Sequence, residues 1–352
     1  MTRHAITLGS AVLGLLALAG CDSSSVEIGG SVPVEYGSAD AGCTPPAAVT
    51  AEIFASDDNV SPALALTSTT LYWVDRGATI SDSIQALPLT GGPVTTLFTA
   101  SPDPSAAIED VVTDGTALYF VQVSTGSDGS YTSRIESVPA NGGAAKLLAT
   151  DDGFDLALTV AGGFVYYTDG TQVQSVATSG GSTTVVSMDG GSALASIGAS
   201  VFWIDGSGST YTLGGPTSTP SEIVATSAAA TDDATLLGTL VTSPNALFWP
   251  CQDDTSDLLC SVPQAGSNNV TVVTSVPDVV SQLAASATDL YFVDPGLCGW
   301  SLQRVTATGG APEVIASGFT ASSEVTATPH AIALDSTYVY WTAAGQVLRT
   351  PK

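Results

Sequence analysis

One short pattern recurs seven times along the chain and limits what the chain can fold into. Each copy has an apolar residue, then two aromatic residues, then a residue that is usually Val, Thr or Ile, and often Asp. The copies read LYWVD (71–75), LYFVQ (118–122), VYYTD (165–169), VFWID (201–205), LFWPC (247–251), LYFVD (290–294) and VYWTA (339–343). Their first aromatic residues, from Tyr72 to Tyr340, are 47, 47, 36, 46, 43 and 49 residues apart. A strand-like unit at that period predicts a repeat architecture.

The segments around each copy predict three further strands. An alternating segment such as ALALTS precedes the aromatic strand, a third strand ends near a Gly-Gly pair as in IQALPLTGG, and a fourth follows as in VTTLFTA. Paired glycines supply the positive φ that tight hairpin turns need. Four short antiparallel strands form one blade, so we predict an all-β fold, a β-propeller of seven four-stranded blades. We interpret the aromatic residues as packing between neighbouring blades.

The seventh copy has no fourth strand of its own, because the sequence stops after QVLRTPK. The segment AVTAEIFAS (48–56) precedes the first copy and matches the fourth-strand pattern of EVIAS. We therefore predict that 48–56 pairs with the final strand and closes the last blade. This pairing would remove two exposed strand edges and bring both ends of the propeller together.

The repeats resemble those of YWTD-type propellers, the class found in low-density-lipoprotein receptors, and those of related bacterial propeller lipoproteins. The resemblance covers about residues 48–352 and depends on the aromatic-Asp motif and the hairpin that follows it. YWTD domains usually have six blades, so six blades is the alternative to the seven motifs counted here.

The N-terminal segment MTRHAITLGSAVLGLLALAGC has the features of an export signal. Arg3 precedes an apolar stretch, 5–19, that is too short to span a membrane. The residues Leu18 to Cys21 resemble the lipobox of bacterial lipoproteins, in which the Cys thiol receives a lipid. We predict a signal peptide at 1–20, lipidation of Cys21, a flexible tether at 21–47 and a protein held on the extracytoplasmic side of the envelope, in the periplasm or at the cell surface. An ordinary signal peptide with an incidental Cys is the alternative.

The charge balance excludes some partners. The chain has 7 Lys and Arg against 33 Asp and Glu, a formal net charge of −26. Such a surface repels nucleic acid and anionic lipid headgroups, so membrane contact is expected through the lipid alone. It suits solubility, cations or basic partners.

Four cysteines remain besides Cys21, and an exported chain can keep disulfides. Four cysteines allow three pairings. Cys251 and Cys260 flank a short acidic loop, so a cross-strand bridge between them is our first choice, and Cys43 with Cys298 follows by elimination. The spacing fits no zinc pattern and His is almost absent, so no metal site is predicted.

Few residue types that carry chemistry are present. The chain beyond the signal peptide has one His, His330, and contains no G-x-S-x-G, H-E-x-x-H, P-loop or EF-hand motif, so no cofactor is predicted. His330 opens the first strand of the last blade, ten residues before Tyr340. In other blades, the position ten residues before the first aromatic residue, or a position close to it, gives the remaining residues of a predicted channel-mouth site: Glu109, Asp110, Asp155 and Gln282.

These observations favour a binding or interaction module for a protein or glycan partner. The segment PHAIAL, which contains His330, also resembles the strand opening of virginiamycin-lyase-like propellers, and that resemblance implies a His and a metal at the channel mouth. A lyase or hydrolase built around His330 is therefore one alternative. A scaffold subunit of an envelope assembly is another.

Overall fold

The computed structural model describes residues 51–352 except for gaps at 57–59, 78–80, 101–105, 155–156, 170, 189–192, 208–209, 216–221, 229–238, 253–255, 265–269, 277–279, 281, 296–299, 319–328, 330 and 344. All of the described residues belong to one compact unit. They form β-strands and connecting segments. The predicted signal peptide and the predicted tether, with Cys21 and Cys43, lie outside the described residues.

In the described residues, twenty-eight strands form seven sheets of four strands each. Blade 1 contains β2 (Val60–Leu66), β3 (Thr70–Asp75), β4 (Ser83–Pro88) and β5 (Thr95–Thr99). Blade 2 contains β6 (Ala106–Thr113), β7 (Ala117–Thr125), β8 (Tyr131–Pro139) and β9 (Lys146–Asp151). Blade 3 contains β10 (Ala157–Ala161), β11 (Phe164–Thr168), β12 (Val173–Ala177) and β13 (Thr184–Ser187). Blade 4 contains β14 (Ala193–Ile197), β15 (Ser200–Ser207), β16 (Thr210–Gly215) and β17 (Glu222–Ala228).

The last three blades follow the same plan. Blade 5 contains β18 (Val241–Thr242), β19 (Ala246–Gln252), β20 (Asp257–Pro263) and β21 (Thr271–Val276). Blade 6 contains β22 (Gln282–Ala285), β23 (Asp289–Asp294), β24 (Trp300–Thr306) and β25 (Glu313–Gly318). Blade 7 contains β26 (Ile332–Leu334), β27 (Tyr338–Ala343) and β28 (Gln346–Pro351), and its fourth strand is β1 (Glu52–Ser56).

Each sheet is an antiparallel meander in which hydrogen-bonded neighbours follow one another along the chain, apart from β1 in blade 7. The first strands of successive blades contact each other in cyclic order, from β2 through β6, β10, β14, β18 and β22 to β26, and β26 contacts β2 again. The first strands therefore line the centre of a closed ring. The predicted β-propeller is confirmed, and the sheets number seven.

The paired aromatic residues hold neighbouring blades together. Successive side chains of a strand point to opposite faces, so the two aromatic residues of a motif face different neighbours. Tyr72 packs in a cluster with Phe120 of blade 2, whereas Trp73 packs in a cluster with Tyr340 of blade 7. At every blade interface the first motif ring shares a cluster with the second motif ring of the next blade. Full burial of one such ring contributes about 2–3 kcal/mol.

The predicted ring closure is confirmed. Strand β1 pairs antiparallel with β28, with Glu52 opposite Arg349 and Ser56 opposite Gln346. The first described residues thereby complete the sheet of the last motif copy, so the final blade has four strands like the others. Of the predicted closing segment 48–56, residues 48–50 lie outside the described residues.

The outermost strand of every blade has an irregularity in register at the same place. One residue of the outer strand is skipped against the third strand in all seven sheets, as between Ile53 and Ala55 in β1. The skipped residues Phe54, Leu97, Leu148, Val273 and Ile315 pack in the clusters between blades. This β-bulge explains the consecutive apolar residues of segments such as KLLAT, and it twists an otherwise exposed sheet edge.

Candidate functional site

The end of the ring at which the first strands begin is called here the top end, and the opposite end is called the bottom end. Because the strands are antiparallel, the connections from second to third strands and from each blade to the next also lie at the top end. The predicted site residues Glu109 and Asp110 lie in β6, and Gln282 begins β22. His330 and Asp155 lie outside the described residues.

Glu109 occupies a bulge of β6. The register to β7 shifts between Ile108 and Asp110, so Glu109 has no opposite residue in the ladder. Its carboxylate accepts a hydrogen bond of 2.9 Å from the Arg76 guanidinium, which follows β3 of blade 1. Both side chains are partly exposed. Glu109 therefore forms an ion pair across the boundary between blades 1 and 2.

A second carboxylate, Asp82, lies beside this pair and was not among the predicted site residues. Its Oδ2 accepts a hydrogen bond of 2.7 Å from the backbone N–H of Ile108. Burial raises the pKa of Asp82, the hydrogen bond and the nearby Arg76 act to lower it, and Glu109 acts to raise it. Asp82 comes just before the third strand, a position that differs from blade to blade, so the repeat pattern gave no sign of it. The side chain fastens blade 1 to blade 2.

Asp110 makes the equivalent connection from blade 2 to blade 3. Its Oδ2 accepts a hydrogen bond of 2.9 Å from the backbone N–H of Leu158 in β10, and its Oδ1 accepts one of 2.7 Å from the N–H of Val111. Burial raises the pKa of Asp110 to about 6, although both hydrogen bonds act to lower it. The carboxyl can therefore take up a proton at mildly acidic pH.

Hydroxyl groups continue these connections around the ring. Ser133 donates a hydrogen bond of 2.7 Å to the carbonyl of Gly153, and Thr159 donates one of 2.9 Å to the hydroxyl of Ser196. Thr242 of blade 5 in turn donates to the carbonyl of Ser196. Ser196 also donates a hydrogen bond of 3.2 Å to the carbonyl of Val160 in blade 3. Thr242 and Ser196 thus satisfy backbone carbonyls of a neighbouring blade, which would be costly to leave unpaired when buried.

Gln282 does not join the group formed by Arg76, Glu109 and Asp82. It belongs to blade 6, which does not border blade 2, and it is partly buried at the start of its strand. The structure therefore brings Glu109 and Asp110 together on one inner strand and places Gln282 elsewhere on the ring. Within the described residues, no group of three or more His, Cys, Asp or Glu is placed to hold a metal ion.

The two sulfur atoms of Cys251 and Cys260 lie at disulfide distance, with their Cα atoms 5.9 Å apart. The pair is diagonal, because Cys251 opposes Leu258 and Cys260 opposes Trp249. Both cysteines are buried between blades 4 and 5. The predicted partner pair, Cys43 with Cys298, lies outside the described residues.

Charge is distributed unevenly between the two ends. Four basic residues lie in the bottom half, where Arg304 pairs with Glu313, Arg349 pairs with Glu52, Lys146 donates to a carbonyl and Lys352 lies over a tyrosine ring. Two lie towards the top, Arg76 and Arg134, and each pairs with a glutamate. Many acidic residues lie at the top ends of strands or in the connections there: Asp75, Asp82, Glu109, Asp128, Asp151, Asp152, Asp169, Asp257 and Asp294. The described top end is therefore predominantly acidic.

No protein-family model matches this chain, and no curated protein matches it in sequence. Solved structures do match it. A catalytically inactive variant of virginiamycin B lyase from Staphylococcus aureus with quinupristin has a TM-score of 0.60 and 13% identity, over 86% of this chain and 99% of that chain. The selenomethionine-substituted lyase has a TM-score of 0.57 and 13% identity, over 84% and 96%. The WD40 domain of Toxoplasma gondii coronin has a TM-score of 0.55 and 11% identity, over 87% and 86%.

At these identities the similarity shows the fold alone. The resemblance to virginiamycin-lyase-like propellers, which the sequence suggested at PHAIAL, is confirmed at the level of the fold. The resemblance to YWTD-type repeats and to propeller lipoproteins stays a prediction from the sequence.

Proposed function

We propose that this protein is a binding module, a β-propeller whose acidic top end presents a surface to a protein or glycan partner. The proposal rests on the contacts made by the two described carboxylates, Glu109 and Asp110, that the sequence predicted at the channel mouth. Glu109 is paired with Arg76, and both oxygens of Asp110 accept backbone N–H groups. These groups stabilise contacts between blades.

A catalytic carboxylate needs a different setting. A general base must reach the proton that it abstracts from a bound substrate. Both oxygens of Asp110 already accept the backbone N–H groups of Leu158 and Val111, so this carboxylate is engaged in a contact between blades 2 and 3. In the binding interpretation, these carboxylates have a structural role and need no catalytic one.

The location that we propose rests on the sequence. Leu18 to Cys21 resemble a lipobox, and residues 21–47 are rich in Ser, Gly, Pro and acidic residues. We propose that a lipid on Cys21 holds the protein on the extracytoplasmic side of a bacterial membrane and that the tether lets the propeller reach a partner. In the part of the chain that the structure describes, no helix is long and apolar enough to cross a membrane.

Site-specific cross-linking in the native envelope tests the proposal. A photo-reactive residue is placed at Asp152, which is exposed at the top end of blade 2, and as a matched control at Asn141, which is exposed at the bottom end of the same blade. We expect a discrete protein or glycan adduct from position 152 and none from position 141. A protein that purifies alone with a small molecule bound, and cross-links to nothing at position 152, would contradict the proposal and favour the enzyme.

A further inference from the structure

An exposed tyrosine and a partly buried phenylalanine form a ring pair at the top end, where blade 2 leads into blade 3. Tyr131 begins β8 and is 46% exposed, and its ring lies 5.2 Å from the ring of Phe154 in an edge-to-face arrangement. Phe154 follows β9 and packs against the buried cluster between the two blades. The Tyr131 ring is therefore accessible, and it rests on a Phe154 ring that is held by packing.

Carboxylates lie at the turn that carries Phe154. Asp151 and Asp152 precede Phe154 in the chain, and Asp152 is exposed. A Cβ atom placed on Gly153 would lie 3.7 Å from Oδ1 of Asp151 and 3.8 Å from Oδ2 of Asp169, so these two carboxylates flank the same backbone turn. The turn itself is held by the hydrogen bond from Ser133 to the carbonyl of Gly153.

These carboxylates are held in place and Asp169 stays ionised. Asp151 accepts a hydrogen bond from the amide of Gln174. Asp169 accepts hydrogen bonds from the N–H and hydroxyl of Thr171 and from the N–H of Gln172. Burial acts to raise the pKa of Asp169, but these hydrogen bonds together lower it below its ordinary value. The local charge is therefore negative at neutral pH.

The basic residues of the described chain are engaged elsewhere. Arg134 lies on the same strand as Tyr131, three residues on, and pairs with Glu136 at 2.8 Å. Arg76 pairs with Glu109 in the neighbouring blade boundary, and the other basic residues lie in the bottom half. Among the described residues, the carboxylates near the ring pair therefore take part in no salt bridge.

We propose that Tyr131, Phe154, Asp151, Asp152 and Asp169 form a docking surface for a Lys- or Arg-rich segment of a polypeptide partner. This inference rests on the proposed binding function and specifies the partner's chemistry. A cation over an aromatic face is attracted by the ring, and a nearby carboxylate adds charge complementarity.

Within the described residues, Arg349 shows the same combination of rings and a carboxylate. The guanidinium carbon of Arg349 lies 4.4 Å from the ring centroid of Phe54 and 4.6 Å from that of Tyr338, and the same guanidinium pairs with the carboxylate of Glu52. Two rings and a carboxylate thus surround this arginine, and the Tyr340 hydroxyl lies beside it. The surface around Tyr131 offers the same set of groups, with the cation to be supplied by the partner.

The test measures binding of a fluorescein-labelled octalysine peptide to the full-length protein in detergent, by fluorescence anisotropy at low and high salt. We expect saturable binding that weakens as salt is raised. Replacing Tyr131→Ala should weaken it about fivefold, the usual size of one cation–aromatic contact, and Asp152→Asn should weaken it about two- to threefold. Phe164→Ala is the matched control, because Phe164 is 44% exposed and lies at the bottom end of blade 3.

Three results would overturn the inference. One is octalysine binding that Tyr131→Ala and Phe164→Ala change equally, which would show a general attraction to an acidic protein. Another is absence of octalysine binding. The third is Tyr131-dependent binding of a neutral oligosaccharide with no binding of octalysine, which would assign the surface to a glycan. A cross-link from position 152 in the envelope would leave the proposed function standing in each case.

Discussion

The guanidinium of Arg349 donates two hydrogen bonds, of 2.9 and 3.0 Å, to the carboxylate of Glu52, which lies 297 residues earlier in the chain. The two residues are opposite one another in the strand pair that closes the ring. Arg349 also lies over the rings of Phe54 and Tyr338, so one side chain connects the first described strand to the last two.

Removing this side chain should therefore weaken the closure of the ring. We expect Arg349→Ala to lower the free energy of unfolding by about 1–2 kcal/mol, measured by urea denaturation, because it loses two ring contacts and a bidentate ion pair. Arg304→Ala is the control, since Arg304 holds the same position in blade 6 but pairs with the exposed Glu313 of the next strand in its own hairpin. Its cost should stay below about 1 kcal/mol. Equal losses in the two variants would show that Arg349 has no special role in closure.

The carboxyl of Asp110 should make stability depend on pH. Its pKa is about 6 in the folded protein against an ordinary value of 3.8, so its contribution to stability is full below about pH 4 and is lost as the pH rises through about 6. The difference corresponds to roughly 3 kcal/mol. Because Asp110 keeps part of its surface in contact with solvent, we expect the stability of the native protein relative to Asp110→Asn to fall by about 1–2 kcal/mol between about pH 4 and 7.

Asp114 provides a control of opposite sign for this pH experiment. Burial acts to raise the pKa of Asp114, but hydrogen bonds from Ala117, Thr116 and Tyr119 together lower it. A carboxyl with a lowered pKa contributes stability above about pH 4 and loses it as the pH falls further. The stability of the native protein relative to Asp114→Asn should therefore stay level from about pH 4 to 7 and fall below that range. A level profile for Asp110→Asn as well would show that the Asp110 carboxyl does not titrate in this window.

The pair Cys251 and Cys260 should form a disulfide that stabilises blade 5. Mass spectrometry of peptides prepared without reduction should recover the two cysteines joined to each other. Replacing both by Ala should lower the free energy of unfolding by about 2–3 kcal/mol, because closure of a loop of roughly ten residues no longer restricts the unfolded chain. Treatment with a reductant should lower the free energy of unfolding of the native protein. The double variant lacks this bridge, so its free energy of unfolding should not fall through loss of the bridge. Recovery of Cys251 joined to Cys298 would contradict the pairing.

Lipidation at Cys21 is the prediction on which the location depends. Replacing Cys21→Ser should abolish labelling by a lipid precursor and release the protein from the membrane fraction, because no other anchor was predicted from the sequence. Cys43→Ser is the matched control and should remain membrane-bound. A Cys21→Ser protein that stays with the membranes would mean that another feature holds it there.

The sequence by itself determined the architecture, and the reason is periodicity. A β-strand places alternate residues on opposite faces, so two adjacent aromatic residues in each repeat had to contact both neighbouring blades. The structure confirms this at every blade interface. The missing fourth strand after Gln346–Pro351 likewise had one candidate of matching pattern, and the pairing of β1 with β28 confirms it. The β-bulge of the outer strands corresponds to consecutive apolar residues in the sequence. The alternation of apolar and polar residues expected of a strand did not predict it.

The tertiary structure decided which polar side chains meet. Arg76 and Glu109 are 33 residues apart and belong to different blades, and Asp82 reaches the backbone of Ile108 across the same boundary. Such contacts depend on how the strands of adjacent blades are staggered and on a bulge at Glu109, and neither follows from the period of the repeat. The sequence could therefore identify Glu109 and Asp110 as inner residues of blade 2, whereas only the packing of the blades showed that their carboxylates hold the ring together.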